Sequence, residues 1–200
     1  GGDWYDIIEL DSGEVAVVVG DVVGRGLGAA GIMGQLCHAV RAYTLQDSSP
    51  GVVLSHLNRF IEKTGDEPFA TVVFAVFDPK SGTLRVANAG HPPPLRLDPD
   101  GSASFLEHAS GPPIGAVTDN VYEEEVTVLT EGSRLLLYTD GVVEDRRTAL
   151  SEGLEKLRKA AAKAPGDIEE FCDYVLDRLS VDRELQDDIA LLAIGAVNPK

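Results

Sequence analysis

An α+β layered domain, with mainly antiparallel sheets and helices packed outside them, is the fold class that this 200-residue sequence predicts. Two observations carry that expectation. Apolar, β-branched runs come in pairs joined by short turn-forming stretches, the pattern of antiparallel hairpins. Segments with helical spacing come as two pairs that interrupt those runs, giving the order strands, two helices, many hairpin strands, two helices and a closing strand. A hydrophobic share of 44% and a charged share of 25% are ordinary for a globular chain able to bury a core, and the length fits one domain over residues 1–200.

Residues 4–10 (WYDIIEL) and 14–20 (EVAVVVG) read as strands across the turn Asp11-Ser12-Gly13. From Leu27 to about Gln46 the spacing becomes helical, with Ile32, Leu36, Cys37, Val40 and Tyr43 on one face. Asp47-Ser-Ser-Pro breaks that helix, and Pro50 opens a second one to about Thr64, with Val53, Leu54, Leu57, Phe60 and Ile61 apolar. Strands follow at 69–77 and 83–89 across Pro79-Lys-Ser-Gly82, and short ones at 94–97 and 103–107 around Asp98-Pro-Asp-Gly101. Residues 121–129 and 133–139 predict a further hairpin across Glu131-Gly132. Amphipathic helices are expected at 149–163 and 167–180, separated by Pro165-Gly166, and a buried strand at 189–197. The chain opens inside a patterned segment, as a domain cut from a longer protein would.

Seventeen basic residues against 33 acidic ones give a net charge of −16. Such a surface repels phosphate backbones and anionic lipid, so neither nucleic acid nor membrane is an expected partner. No apolar run approaches the roughly 20 residues of a membrane span. Cys37 and Cys172 are far apart in helix-like segments and read as small buried apolar residues of a reduced, cytoplasmic protein.

Some of the carboxylates share one setting. Asp21 ends EVAVVVGD, Asp140 ends SRLLLYTD before Gly141, Asp187 and Asp188 precede IALLAIG, and Asp3 precedes the first strand. Carboxylates at the ends of buried strands are costly unless something cationic neutralises them, and Lys and Arg are scarce beside them. An all-oxygen set without clustered His or Cys selects hard cations such as Mg²⁺ or Mn²⁺. The plainer alternative, that each Asp only caps a turn, holds better for any one of them than for the set. Neighbours on an extended strand point to opposite faces, so one of the Asp187–Asp188 pair should face a metal; Asp187 is favoured, with Asp188 holding the turn.

Gly26-Leu-Gly28-Ala-Ala-Gly31 has the form of a dinucleotide fingerprint, with Asp47 at about the right distance to bind a ribose. The context fails, because Asp47 is not preceded by the second parallel strand that must carry that acid, and a nucleotide-dependent oxidoreductase is set aside. The glycines fit better as places where backbone approaches a metal site and the opposing sheet closely.

Six motifs occur in order: Gly1-Gly-Asp-Trp-Tyr-Asp6, Gly20-Asp-Val-Val-Gly-Arg-Gly26, Asn88-Ala-Gly-His-Pro-Pro-Pro94, Gly111-Pro-Pro-Ile-Gly115, Leu137-Tyr-Thr-Asp-Gly141 and Asp187-Asp-Ile-Ala-Leu-Leu192. Together they resemble the bacterial SpoIIE/RsbU branch of the metal-dependent protein serine/threonine phosphatases, the protein phosphatase 2C-type fold. That resemblance implies a four-layer α-β-β-α sandwich with a binuclear Mn²⁺ or Mg²⁺ site at one edge. It implies that Asp21 bridges the two cations, that the backbone carbonyl of Val22 binds one, that Asp140 and Asp187 complete the other, and that Asp3 binds directly or through water. The implied reaction is hydrolysis of a phosphoserine or phosphothreonine on an anti-sigma-factor antagonist by a metal-bridging hydroxide, in sigma-factor regulation; a homodimer is possible. Such chemistry needs no nucleophilic side chain, and none is evident. Arg25 stands where many relatives carry His; it could hold substrate phosphate or pair with a carboxylate. His91 stands where eukaryotic members carry Asp, and could donate a proton to the leaving oxygen or be hydrogen-bonded within a Pro-rich turn. His38, His56 and His108 have no motif around them, and Trp4 and Tyr5 read as core. A catalytically silent regulatory module of the same fold, binding the same antagonist, is the alternative function.

Overall fold

The computed structural model describes residues 2–24, 26–64, 69–144, 149–180 and 188–196. A hairpin of β1 (Asp3–Glu9) and β2 (Val15–Val22) leads into α1 (Leu27–Thr44) and α2 (Pro50–Glu62). Then come β3 (Ala70–Phe77), β4 (Thr83–Ala89), β5 (Leu95–Leu97), β6 (Ala103–Phe105), β7 (Ser110–Gly111), β8 (Glu125–Val128) and β9 (Arg134–Tyr138). A single 3-10 turn (Asp140–Val142), α3 (Leu150–Ala161), α4 (Ile168–Ser180) and β10 (Leu191–Gly195) complete the described chain.

One sheet runs β1-β2-β3-β4, with β7 and β8 both bonded to the outer edge of β4; the other runs β10-β9-β5-β6. All the pairings are antiparallel except β4 with β7. Alternation along the central strands explains the layering. On β2 and β3, Val18 and Phe74 point into a core shared with Leu36, Leu54 and Leu57 of α1 and α2. Their neighbours Val17, Val19, Val73 and Ala75 point into a second core shared with Leu135 and Leu137 of β9. Leu136 and Tyr138 on the other face of β9 enter a third core with Leu157, Phe171 and Val175 of α3 and α4. Three apolar layers between four structural ones make the α-β-β-α sandwich. Among the described residues no helix is long and apolar enough to cross a membrane.

The structure corrects several expectations. Residues 121–129 and 133–139 do not pair with each other: β8 joins β4 in one sheet, and β9 lies between β10 and β5 in the other. Burial explains the separation. β9 is apolar on both faces and needs a central position, whereas β8 leaves Val126 62% and Val128 51% exposed and suits an edge. β10 is a half-buried edge strand, not a fully buried one. Tyr5 is 60% exposed, since β1 alternates and Trp4 and Ile8, not Tyr5, pack into the core beneath the helices. The two-residue β7, parallel to β4, was too short to leave a periodic signal. Cys37 and Cys172 are free thiols, half-buried on α1 and α4.

Candidate functional site

Asp21 lies one residue from the end of β2, directly opposite Asp3 on β1 and Thr71 on β3. Residues opposite one another in a ladder share a face, and Asp21 continues the row of Val17 and Val19, so this trio sits on the inter-sheet face where the apolar core runs out. Why the row ends in a polar opening is visible in two glycines. At Gly20 a Cβ would lie 2.7 Å from Trp4 Nε1, so only glycine lets the indole lie flat across β2 and clamp β1 to it. At Gly2 a Cβ would lie 2.2 Å from the Val22 carbonyl oxygen and 2.8 Å from Asp21 Oδ1. Both oxygens therefore border one small space that glycine keeps clear. The Val22 amide donates to the Gly2 carbonyl at 3.2 Å and fixes that approach.

Two carboxylates directly opposite one another repel, and a divalent cation between them removes that cost. Asp21 Oδ1, the Val22 carbonyl and Asp3 are all hard oxygen donors, which fit Mg²⁺ or Mn²⁺ and not a thiophilic metal. Asp21 and Asp3 are half-buried.

Asp140 is held in another way. It follows β9 and opens the 3-10 turn, where its carbonyl accepts from the amides of Val143 at 2.8 Å and Glu144 at 2.7 Å. Thr139, just before it, is fully buried and bonded to Ala190 twice: its amide donates to the Ala190 carbonyl at 3.0 Å, and its Oγ1 accepts from the Ala190 amide at 2.9 Å. A Cβ on Gly141 would lie 2.3 Å from the Asp188 carbonyl oxygen. The Asp140 turn and the segment entering β10 are therefore in backbone contact. Asp187 lies outside the described residues, as does Arg25.

His91 joins the two sheets. Its Nδ1 is 2.9 Å from Thr71 Oγ1 and its Nε2 is 3.0 Å from the Tyr138 carbonyl oxygen, two residues before Asp140. A carbonyl can only accept, so Nε2 carries the hydrogen. Burial pushes the imidazole pKa down to about 4, against the smaller upward pull of its hydrogen bonds to Tyr138 and Thr71, so the ring is neutral near pH 7. Nδ1 therefore accepts, and the Thr71 hydroxyl donates to it. The loop is locked as well: the His91 amide donates to Asn88 Oδ1 at 2.8 Å and Asn88 Nδ2 donates to the His91 carbonyl at 2.9 Å. Both ring nitrogens of His91 are therefore engaged, one by a hydroxyl and one by a backbone carbonyl.

The structure thus brings Asp3, Asp21 and the Val22 carbonyl together in one sheet, and Asp140 beside Asp188 in the other. Among the described residues, no three His, Cys, Asp or Glu side chains form a single cluster. Gly24 and Gly26 take φ values of 127° and 79° that other residues resist, and shape the turn into α1. The expectation of close approach fails at Gly26, Gly28 and Gly31, where a Cβ would meet nothing within 4 Å. Neither Gly2 as a cradle nor Thr71 is expected from the sequence; the one signal at Thr71 is that it is the sole polar residue in the apolar run ATVVFAVF.

Residues 11–196 match the sequence profile of the family Stage II sporulation protein E (SpoIIE). The chain is 33% identical over 145 residues to the phosphoserine phosphatase RsbP of Bacillus subtilis (strain 168), covering 70% of this chain and 36% of RsbP. It therefore spans about a third of the length of that curated relative. Among solved structures, the RsbU and RsbW domains of Rv1364c from Mycobacterium tuberculosis superpose with a TM-score of 0.91 at 32% identity, over 100% of this chain and 57% of that one. The PP2C phosphatase domain of SpoIIE from Bacillus subtilis superposes at 0.86 and 18% identity, over 100% and 58%, and shares the fold. With an α-β-β-α sandwich and a family profile that runs through nearly the whole chain, this protein belongs to the SpoIIE family.

Proposed function

We propose that this chain is the catalytic domain of a metal-dependent serine/threonine phosphoprotein phosphatase acting on a phosphorylated anti-sigma-factor antagonist. The observation that carries this reading is the space in front of Gly2, bordered by Asp21 Oδ1 and the Val22 carbonyl with Asp3 across the ladder. Asp21, the Val22 carbonyl and Asp3 would hold one side of a two-cation Mn²⁺ or Mg²⁺ site, with Asp140 and Asp187 on the other. When bound, such a pair supplies a nucleophile at neutral pH by lowering the pKa of water, and absorbs charge on the phosphoryl oxygens. The chain's own residues do the rest. The ladder fixes Asp21 against Asp3, and the 3-10 turn fixes Asp140. Arg25, with a charge that persists at any working pH, would hold the incoming phosphate. Neutral His91, with both ring nitrogens occupied, moves no proton in this scheme.

The test is phosphate release from a phosphorylated antagonist peptide, or from p-nitrophenyl phosphate, with Mn²⁺ present. Release that disappears with EDTA, and in Asp21→Ala and Asp140→Ala, is the expected result. Folded protein that releases no phosphate with either metal overturns the catalytic reading and leaves a silent binding module in its place.

A further inference from the structure

The two parts of the proposed cation site belong to different sheets, so their relative position depends on what joins the sheets beside the site. We infer that Thr71 and His91 form a positioning pair that fixes the Asp21 strand relative to the Asp140 turn. The inference rests on the cation-site reading above and adds two residues to it.

The path is continuous. Asp21 stands opposite Thr71 in the β2–β3 ladder. Thr71 Oγ1 meets His91 Nδ1 at 2.9 Å, and His91 Nε2 meets the Tyr138 carbonyl at 3.0 Å, across the gap between sheets. Tyr138 leads into Asp140 through Thr139, whose amide donates to the Ala190 carbonyl and whose hydroxyl oxygen accepts from the Ala190 amide. His91 is only 5% exposed and its backbone is clamped by Asn88, so the ring cannot drift to absorb a change at either end. Gly90 tightens the same loop, since a Cβ there would lie 2.6 Å from Pro113 Cγ. The direction of the hydrogen bonds matters too. With Nε2–H committed to a carbonyl, Thr71 must spend its only hydrogen on Nδ1. Thr71 therefore has no hydrogen left to donate toward its ladder neighbour Asp21, where a donor would compete with a cation for a carboxylate oxygen. The pair thus sets both a distance and a polarity.

Residues that orient metal ligands without touching the metal typically change metal affinity about 10- to 100-fold when removed. The experiment measures Mn²⁺ affinity of the whole protein by titration calorimetry, together with the thermal midpoint in EDTA. Thr71→Val keeps the shape and β-branching of the side chain but loses the hydroxyl, and is expected to bind Mn²⁺ at least about tenfold more weakly. Thr71→Ala, which loses the hydroxyl without gaining a methyl, should show the same loss. Thr71→Ser, which restores the donor, should return affinity to the wild-type value. A role confined to stability would lower the midpoint in EDTA and leave affinity unmoved, so wild-type affinity in Thr71→Val overturns the inference alone. Wild-type protein that binds no Mn²⁺ overturns the cation reading, and this inference with it.

Discussion

The two parts of the site are built by different means. Asp21 lies within a strand bonded on both sides, and its place follows from the register of the β1–β2 and β2–β3 ladders. Asp140 lies beyond the end of its strand, and its place follows from one 3-10 turn and two bonds to Ala190. A ladder spreads positional control over many residue pairs, so one substitution displaces Asp21 little unless it acts at the carboxylate itself. A turn concentrates control in a few atoms. Each part nonetheless depends on one glycine pressed against a backbone carbonyl: Gly2 on Val22, and Gly141 on Asp188.

Those two glycines give the largest expected effects and separate the two designs. In Gly2→Ala the methyl would sit 2.2 Å from the Val22 oxygen and 2.8 Å from Asp21 Oδ1, inside the space a cation would use. Displacements of about 1 Å in a catalytic arrangement cost on the order of 100-fold in rate, and that is the loss expected in Mn²⁺-dependent phosphate release. Gly2 lies beyond the last ladder pair, Asp3 with Asp21, and is held there by the Val22 amide alone among the backbone bonds of the described residues, so the unfolding midpoint should move less than in a variant that wedges the Asp140 turn. Gly141→Ala drives its methyl to 2.3 Å from the Asp188 carbonyl, between the turn and the segment entering β10. It should lose activity to a similar degree and also about 1–3 kcal/mol of stability, read by urea unfolding, as overpacked sites do. Equal stability losses in the two variants would mean that strand and turn hold their aspartates in the same way.

The link between the halves gives the next largest effect. His91 has a pKa of about 4 in the folded protein and an ordinary value near 6.5 when unfolded. Between those values the unfolded chain binds a proton that the folded one refuses, so stability falls as the pH drops from about 6.5 to about 4. Above that window the group contributes no pH dependence. The difference corresponds to about 3 kcal/mol, to be measured by urea unfolding in EDTA at a series of pH values. Carboxylates titrate nearby, so the diagnostic quantity is the comparison with His91→Gln, whose profile should lack this component. Parallel profiles for the two proteins would place the ring in contact with water and not between sheets.

The same contrast between ladder and turn governs what could be read from sequence. Asp21 and Asp140 were legible because a lone carboxylate at the end of an apolar run is conspicuous and chemically costly. The turn at Glu131-Gly132 was legible too, and Gly132 takes a φ of 82° there. Its amide, however, donates to the Ala196 carbonyl at 2.9 Å, and the chain passes from one sheet to the other at that point. Turn chemistry says that a chain reverses, and not which strand the returning segment joins. Only burial on both faces of β9 decided that. Thr71 and Gly2 were illegible for a related reason. Their roles exist only once His91, twenty positions along the chain, and Val22 are folded against them. A hydroxyl in a β-strand and a glycine before one carry no such information alone.

The smallest expected effect tests whether glycine in this chain always marks close approach. α1 begins with a run of small residues beside the Asp21 strand, and a Cβ at Gly28 or Gly31 meets nothing within 4 Å. Neither residue takes a positive φ, and both are exposed on a regular helix. Glycine there costs the helix about 1 kcal/mol relative to alanine, through the extra freedom it gives the unfolded chain. Gly28→Ala and Gly31→Ala should therefore each raise stability by roughly 0.5–1 kcal/mol in urea unfolding, opposite in sign to Gly141→Ala. Mn²⁺ affinity should stay at the wild-type value, because neither position borders Asp21, Val22 or Thr71. A loss of stability in either variant would show that α1 meets another surface along its glycine face. A loss of Mn²⁺ affinity with stability intact would extend the site from the end of β2 into the first turn of the helix.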